Sequence, residues 1–172
     1  MNVTGRRRAF TLVELLIVII IVGILAAVAI PQFGSSTADA KLAALDANLA
    51  AVRNAIELYF HQHNGTYPGV VKQHDGSAHA SAADAFVKQL TMYSDAQGNT
   101  SSTKDTANFP YGPYLRQGFP SNPLAASGAT PNDVTVGTEN TVLTAEENPS
   151  TGWRYSASTG QFVANHTDHA SR

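Results

Sequence analysis

The chain has no cysteine in its 172 residues. No disulfide framework can hold it, so its stability must come from packing, from a bound ion or from assembly with other copies. Charge is also scarce: eleven Lys and Arg stand against thirteen Asp and Glu, for a net charge of −2. Three of the basic residues are Arg6, Arg7 and Arg8. The remainder is mildly acidic and shows no clustered basic face, which argues against nucleic-acid binding. The sequence contains no Gly-rich phosphate loop, no metalloprotease helix motif, no nucleophile beside a base and no EF-hand spacing, so nothing in it points to an enzyme. His61 and His63 lie two apart on a predicted helix and face different ways, a poor zinc pair; His166 and His169 could face together but lie in a polar tail.

Against this scarcity stands one dense feature, the run RRRAFTLVELLIVIIIVGILAAVAIPQF at 6–33. Residues 15–30 are all apolar or glycine, and counting back to Ala9 gives twenty-two residues with a single charge. That length crosses a hydrocarbon core of roughly 30 Å as a helix. The three arginines before it are expected to stay cytoplasmic, placing the rest of the chain on the other side of the membrane. Two plainer readings compete: a secretory signal cleaved after Ala29, which frees a soluble domain, and a twin-arginine signal built on Arg7 and Arg8.

Neither of those readings explains Glu14. A carboxylate within a membrane helix costs about 2.5–3.5 kcal/mol near the bilayer centre, and a disposable signal has no reason to carry one. Its place in the first helical turns recovers only about 0.3–1 kcal/mol from the helix dipole. A cut just before Phe10 would create an α-ammonium beside it. With helices packed side by side and staggered, Glu14 of one copy then meets the Phe10 amine of the next.

The stretch RAFTLVELLIVIIIVGILAAVAIPQF closely resembles the prepilin leader and N-terminal helix of type IV pilins and of the pseudopilins of type II secretion. The resemblance implies cleavage between Ala9 and Phe10 by a prepilin peptidase that also methylates the new N-terminus, giving N-methylphenylalanine at Phe10. Methylation keeps the positive charge, so pairing with Glu14 survives it. The family usually has glycine before the cut, where Ala9 stands here.

Beyond the apolar run the helix is expected to continue, with a kink or melted stretch around Gly23, Pro31 and Gly34 because proline removes a backbone donor. Leu42, Leu45, Leu49, Val52, Ile56 and Tyr59 then recur at spacings of three and four, an amphipathic helix whose apolar seam serves the core. Asn64-Gly65 and Pro68 predict its end. Ser81 caps a predicted second helix carrying Phe86, Leu90 and Tyr93. Residues 94–108 read as a polar loop and 111–124 as a Gly- and Pro-rich clamp. Short strands are expected at 134–136, 141–143, 153–155 and 161–163, the last two joined through Ser158, Thr159 and Gly160 as a hairpin. Trp153 and the tyrosines read as core.

The expected fold class is α+β, a pilin-like fold in which one long N-terminal helix packs on a small antiparallel β-sheet head. The expected organisation is a leader at 1–9, a hydrophobic transmembrane helix at 10–33 and a periplasmic head at 34–172. NGTYP, GPYL, FPSNPL and GWRYSASTGQFVAN make the whole most similar to the major pseudopilin of type II secretion. That resemblance implies a structural subunit anchored in the inner membrane as a single-pass protein, which polymerises into a periplasmic pseudopilus and promotes export of folded proteins. Its partners would be other copies of itself, the prepilin peptidase and methyltransferase, minor pseudopilins and the inner-membrane assembly platform, with no nucleic acid. The alternative is the major subunit of a surface type IV pilus serving adhesion, motility or DNA uptake. The resemblance also implies structural calcium in the C-terminal loop. The oxygen ligands on offer are Asp133, Glu139, Asn140, Glu146 and Glu147, with Asp168 further on.

Overall fold

The computed structural model describes residues 10–172, and the side chains of 28–36 lie outside that description. Two compact units divide after Ala40. One helix, α1 (Leu12–Gln62), begins in the first unit and ends in the second.

In the first unit the helical backbone is continuous through Gly23, Pro31 and Gly34. Residues 17–22 are all Ile or Val, β-branched and poor helix formers in water. Helix is nevertheless the form that satisfies every backbone group when water is absent. All side chains described here from Phe10 to Ala27 are exposed, Phe10 by 80 % and Leu12 by 82 %. Among the described residues no helix is long and apolar enough to cross a membrane. The described apolar part, 12–27, spans about 24 Å, and the expected span takes in 28–33, whose side chains are outside the description.

The second unit, Lys41–Arg172, is the α+β head. Leu45, Leu49, Val52, Ile56 and Tyr59 of α1 are buried, so the predicted seam is the core face. The helix ends as its sequence implies: Asn64 (φ 55°) and Gly65 (φ 75°) are left-handed, and the Gly65 N–H donates to the Phe60 carbonyl at 3.0 Å. A second helix, α2 (Ala82–Thr91), is capped by Ser81, whose hydroxyl accepts from the Asp84 N–H at 3.1 Å. Phe86 and Leu90 of α2 are fully buried.

Two small sheets complete the head. The first is formed by β1 (Gln73–His74), β2 (Ser77–Ala78), β3 (Tyr93–Ser94) and β4 (Thr100–Ser101) in the order β2-β1-β4-β3. The second is β5 (Thr130–Gly137), β6 (Thr151–Ser156) and β7 (Phe162–Ala164), in that order. Trp153, Tyr155 and Phe162 from the second sheet meet Phe86 and the α1 seam in one core. Phe86 stacks on Tyr155 at 4.1 Å between ring centres, and Trp153 lies 5.0 Å from Phe162.

Three expectations need correction. The sheets are mixed: β6 and β7 pair antiparallel as the hairpin signal implies, but β5 pairs parallel with β6, and β1 pairs parallel with β4. Residues 138–150 supply the dozen-residue crossover that a parallel pair needs. Residues 141–143 are not a strand. Val142 is 81 % exposed, Leu143 is buried, and the Leu143 N–H donates to the Gln161 side-chain carbonyl at 2.8 Å instead of to a ladder. The supposed loop at 94–108 contains β4, which takes its place beside the unforeseen hairpin β1–β2. That hairpin turns on Asp75 (φ 46°) and Gly76 (φ 83°), a pair that the Asp-Gly dipeptide favours.

Candidate functional site

The N-terminal site starts from a four-residue pattern, Thr11 to Glu14, at the head of α1. Glu14 Oε2 accepts from the Thr11 N–H at 3.0 Å and from its hydroxyl at 2.9 Å, while the Glu14 N–H donates to Thr11 Oγ1 at 3.2 Å. This is a reciprocal capping box, which satisfies donors that every helix start leaves open. Sequence reasoning that looked for a distant partner for Glu14 missed it, although Thr-x-x-Glu is its signature. The box engages only Oε2. Among the described residues Oε1 of Glu14 has no partner, and the side chain stands on an otherwise apolar, exposed helix. Phe10 lies two residues before the first helical residue, Leu12; Ala9, the other half of the expected cut, lies outside the described residues, as does the side chain of Pro31. No heavy atom approaches the open side of Gly23 within 4 Å.

The C-terminal loop does not gather the six expected calcium ligands. Glu139 Oε1 accepts from Arg154 Nη2 at 2.7 Å. The Glu139 carboxyl is held below its ordinary value, first by its own backbone N–H and then by Arg154. The Glu146 N–H donates to Asn165 Oδ1, and Asn165 Nδ2 returns a bond to Glu146 Oε2, both at 2.9 Å. Asp133 is exposed on β5, beside a groove it shares with Asp84. Asn140, Glu147 and Asp168 are exposed as well. Among the described residues no three His, Cys, Asp or Glu side chains are placed to hold a metal ion. As placed, these carboxylates do not converge on one point.

Two buried histidines, His63 and His79, sit in the head where burial favours the neutral ring. His63 is 2 % exposed, lies flat on Tyr59 at 3.6 Å, and shares hydrogen bonds with the Tyr59 carbonyl (2.8 Å) and the Ser94 hydroxyl (3.1 Å). The carbonyl can only accept, which puts the proton on Nδ1 and leaves Nε2 to accept from Ser94. His79 shares the Thr100 hydroxyl at 2.9 Å. Burial lowers both imidazoles below their ordinary 6.5. A lowered folded value means the unfolded chain binds protons first, so stability is full above about pH 6.5 and falls as pH drops through the folded values. Urea unfolding between pH 7.5 and 5 is expected to show this loss, and His63→Gln is expected to flatten it. An equal slope in the variant would remove His63 from the account.

Comparison with known proteins adds a second line. Residues 4–30 match the model described as the prokaryotic N-terminal methylation motif. The chain is 54 % identical over 50 residues to the type IV narrow pilus major component PilA5 of Thermus thermophilus, covering 29 % of this chain and 43 % of that protein. It is 32 % identical over 102 residues to the type IV major pilin protein PilE of Neisseria gonorrhoeae, covering 59 % of each. It is also 32 % identical over 59 residues to the type II secretion system core protein G of Escherichia coli, covering 34 % of this chain and 41 % of that one. In each case the match spans less than two thirds of the relative's length. No solved structure gives a significant match. In its methylation motif, and over the matched part of these relatives, the chain is similar to type IV pilins and pseudopilins, and its long helix followed by an α+β head is consistent with a pilin-like fold.

Proposed function

We propose that the chain is a structural, non-enzymatic subunit that is cut between Ala9 and Phe10, methylated on Phe10, held in the inner membrane by its N-terminal helix and polymerised into the periplasmic pseudopilus of type II secretion. The observation that carries polymerisation is the half-used Glu14: its cap takes Oε2, and Oε1 has no partner among the described residues of an apolar helix. A neighbouring Phe10 ammonium is the cation that processing would create, and each charge is then neutralised only in the filament. The lack of cysteine and the similarity to core protein G support the pseudopilus form. The match to PilA5 over 50 residues supports a second reading, the major subunit of a surface type IV pilus.

Glu14 variants test the shared mechanism at native expression. Glu14→Ala is expected to insert normally, since it removes a charge from lipid, and to cut filament yield at least about tenfold, the effect of losing about 1.4 kcal/mol per contact. Glu14→Gln keeps an acceptor for the Thr11 cap but no charge, and is expected to fail in the same way. Normal filaments from Glu14→Gln would reduce Glu14 to a helix cap. Deletion of the gene separates the two forms: blocked release of exported proteins marks a pseudopilus, and loss of surface fibres marks a pilus.

A further inference from the structure

The loop between β5 and β6, residues 138–150, has neither of the usual clasps for an irregular segment, since the chain has no cysteine and the loop carboxylates do not converge. It is nevertheless held at many points, and the holding groups come from the β6–β7 hairpin and its immediate continuation. The Ser158 hydroxyl donates to the Thr138 carbonyl at 3.0 Å and the Ser156 hydroxyl to the Glu139 carbonyl at 2.7 Å. Gln161 takes the Leu143 N–H, and Asn165, fully buried, takes Glu146 by both its backbone and its carboxylate.

Arg154 stands in the middle of this set. Nη2 donates to Glu139 Oε1 and Nη1 to the Thr144 carbonyl, each at 2.7 Å. The Arg154 side chain is only 19 % exposed. Opposite, the Glu139 carboxylate lies against the bare Cα of Gly137, where a side chain on residue 137 would collide with Oε2.

We infer that Arg154 is the resident cation of this loop: its guanidinium holds a carboxylate and a backbone carbonyl, the two kinds of oxygen a calcium ion would take, and closes 138–144 without metal. The planar fork suits the task, because two N–H groups diverge at fixed angles toward two oxygens that belong to different parts of the loop. Glu139 is neutralised by the pairing, and a divalent ion brought to the same oxygens would meet the guanidinium's positive charge. Glu139 Oε2 and Arg154 Nε are buried without a partner, so the pair is held through one oxygen and one terminal nitrogen. The consequence is a head whose loop keeps its shape when calcium is withdrawn. The inference stands apart from the choice between pseudopilus and pilus.

The test uses the full-length protein in detergent, with thermal unfolding followed by the fluorescence of Trp153, the one tryptophan. The wild-type midpoint is expected to stay within about 1 °C on adding EDTA and then excess calcium chloride. Arg154→Gln is expected to lower it by about 4 °C and to open 138–150 to limited proteolysis. Arg154→Lys keeps the charge but not the fork, and is expected to leave the loop protease-sensitive. A fall in the wild-type midpoint on chelation, restored by calcium, overturns the inference without reference to any variant. A protease-resistant loop in Arg154→Gln overturns it equally. If Arg154→Gln does not fold, Glu139→Gln replaces it, with the same expected loss of protection.

Discussion

Replacing Trp153 with alanine is expected to cost the head about 3–5 kcal/mol, the range for truncating a large aromatic in a packed core. The indole is fully buried, lies 5.0 Å from the Phe162 ring, and donates from Nε1 to the Pro120 carbonyl at 2.9 Å. The variant therefore combines a cavity between the sheet and its neighbours with a carbonyl that loses its donor. Against a total stability of roughly 5–15 kcal/mol, such a loss removes at least about a fifth and, at the low end of that range, all of it, and is expected to bring unfolding closer to physiological temperature. Trp153→Phe separates the two effects, since it refills most of the space but still leaves the Pro120 carbonyl without its donor. Urea unfolding by circular dichroism gives both values. A loss below about 1 kcal/mol for Trp153→Ala would show that the indole is not a core element.

Much of this architecture was legible because its signals are local. The spacing from Leu45 to Tyr59 named the buried face of α1, Ser81 marked the start of α2, Asn64-Gly65 marked the end of α1, and Ser158 to Gly160 located a hairpin. Strand direction was not local. Val134 to Val136 read correctly as a strand, but whether it runs with or against β6 depends on what 138–150 does between them. Residues 141–143 have the β-prone composition of a strand, yet side chains from β6 and its hairpin turn hold that loop, and those contacts exist only after the sheet has formed. The same reasoning divides the site. Phe10 and Glu14 sit inside a dense motif, and the Thr11 cap is spelled at the same four positions. The six oxygen-bearing side chains are of the kind calcium takes, but composition could not show that Arg154 and Asn165 engage Glu139 and Glu146. Gln89 left one readable trace: it is an amide three residues from Phe86 and beside Leu90, on the apolar face of α2.

That amide leads to the second large effect. Gln89→Leu is expected to destabilise the head by at least about 3 kcal/mol, although it places an apolar side chain of similar size in a site only 1 % exposed. Gln89 Oε1 accepts from the Gly69 N–H at 2.8 Å, and Nε2 donates to the Val70 carbonyl at 3.1 Å and the Gly98 carbonyl at 2.8 Å. One side chain therefore ties α2 to the segment after α1 and to the turn before β4. Leucine leaves three backbone groups without a partner, and each stranded group costs roughly 1–3 kcal/mol. Gln89→Glu should be worse at neutral pH, because a carboxylate keeps an acceptor for Gly69 but turns charge toward two carbonyls. Burial among those carbonyls raises the folded pKa of the new acid above its unfolded value, so the variant binds a proton more readily when folded. Its neutral form can donate, and the penalty should shrink as pH falls. Wild type moves in the opposite direction, because His63 and His79 must charge in order to unfold. The difference between the two urea midpoints should narrow between pH 7.5 and 5. A constant difference, or a Gln89→Leu variant within about 0.5 kcal/mol of wild type, would show that water replaces the amide and that the two segments are held without it.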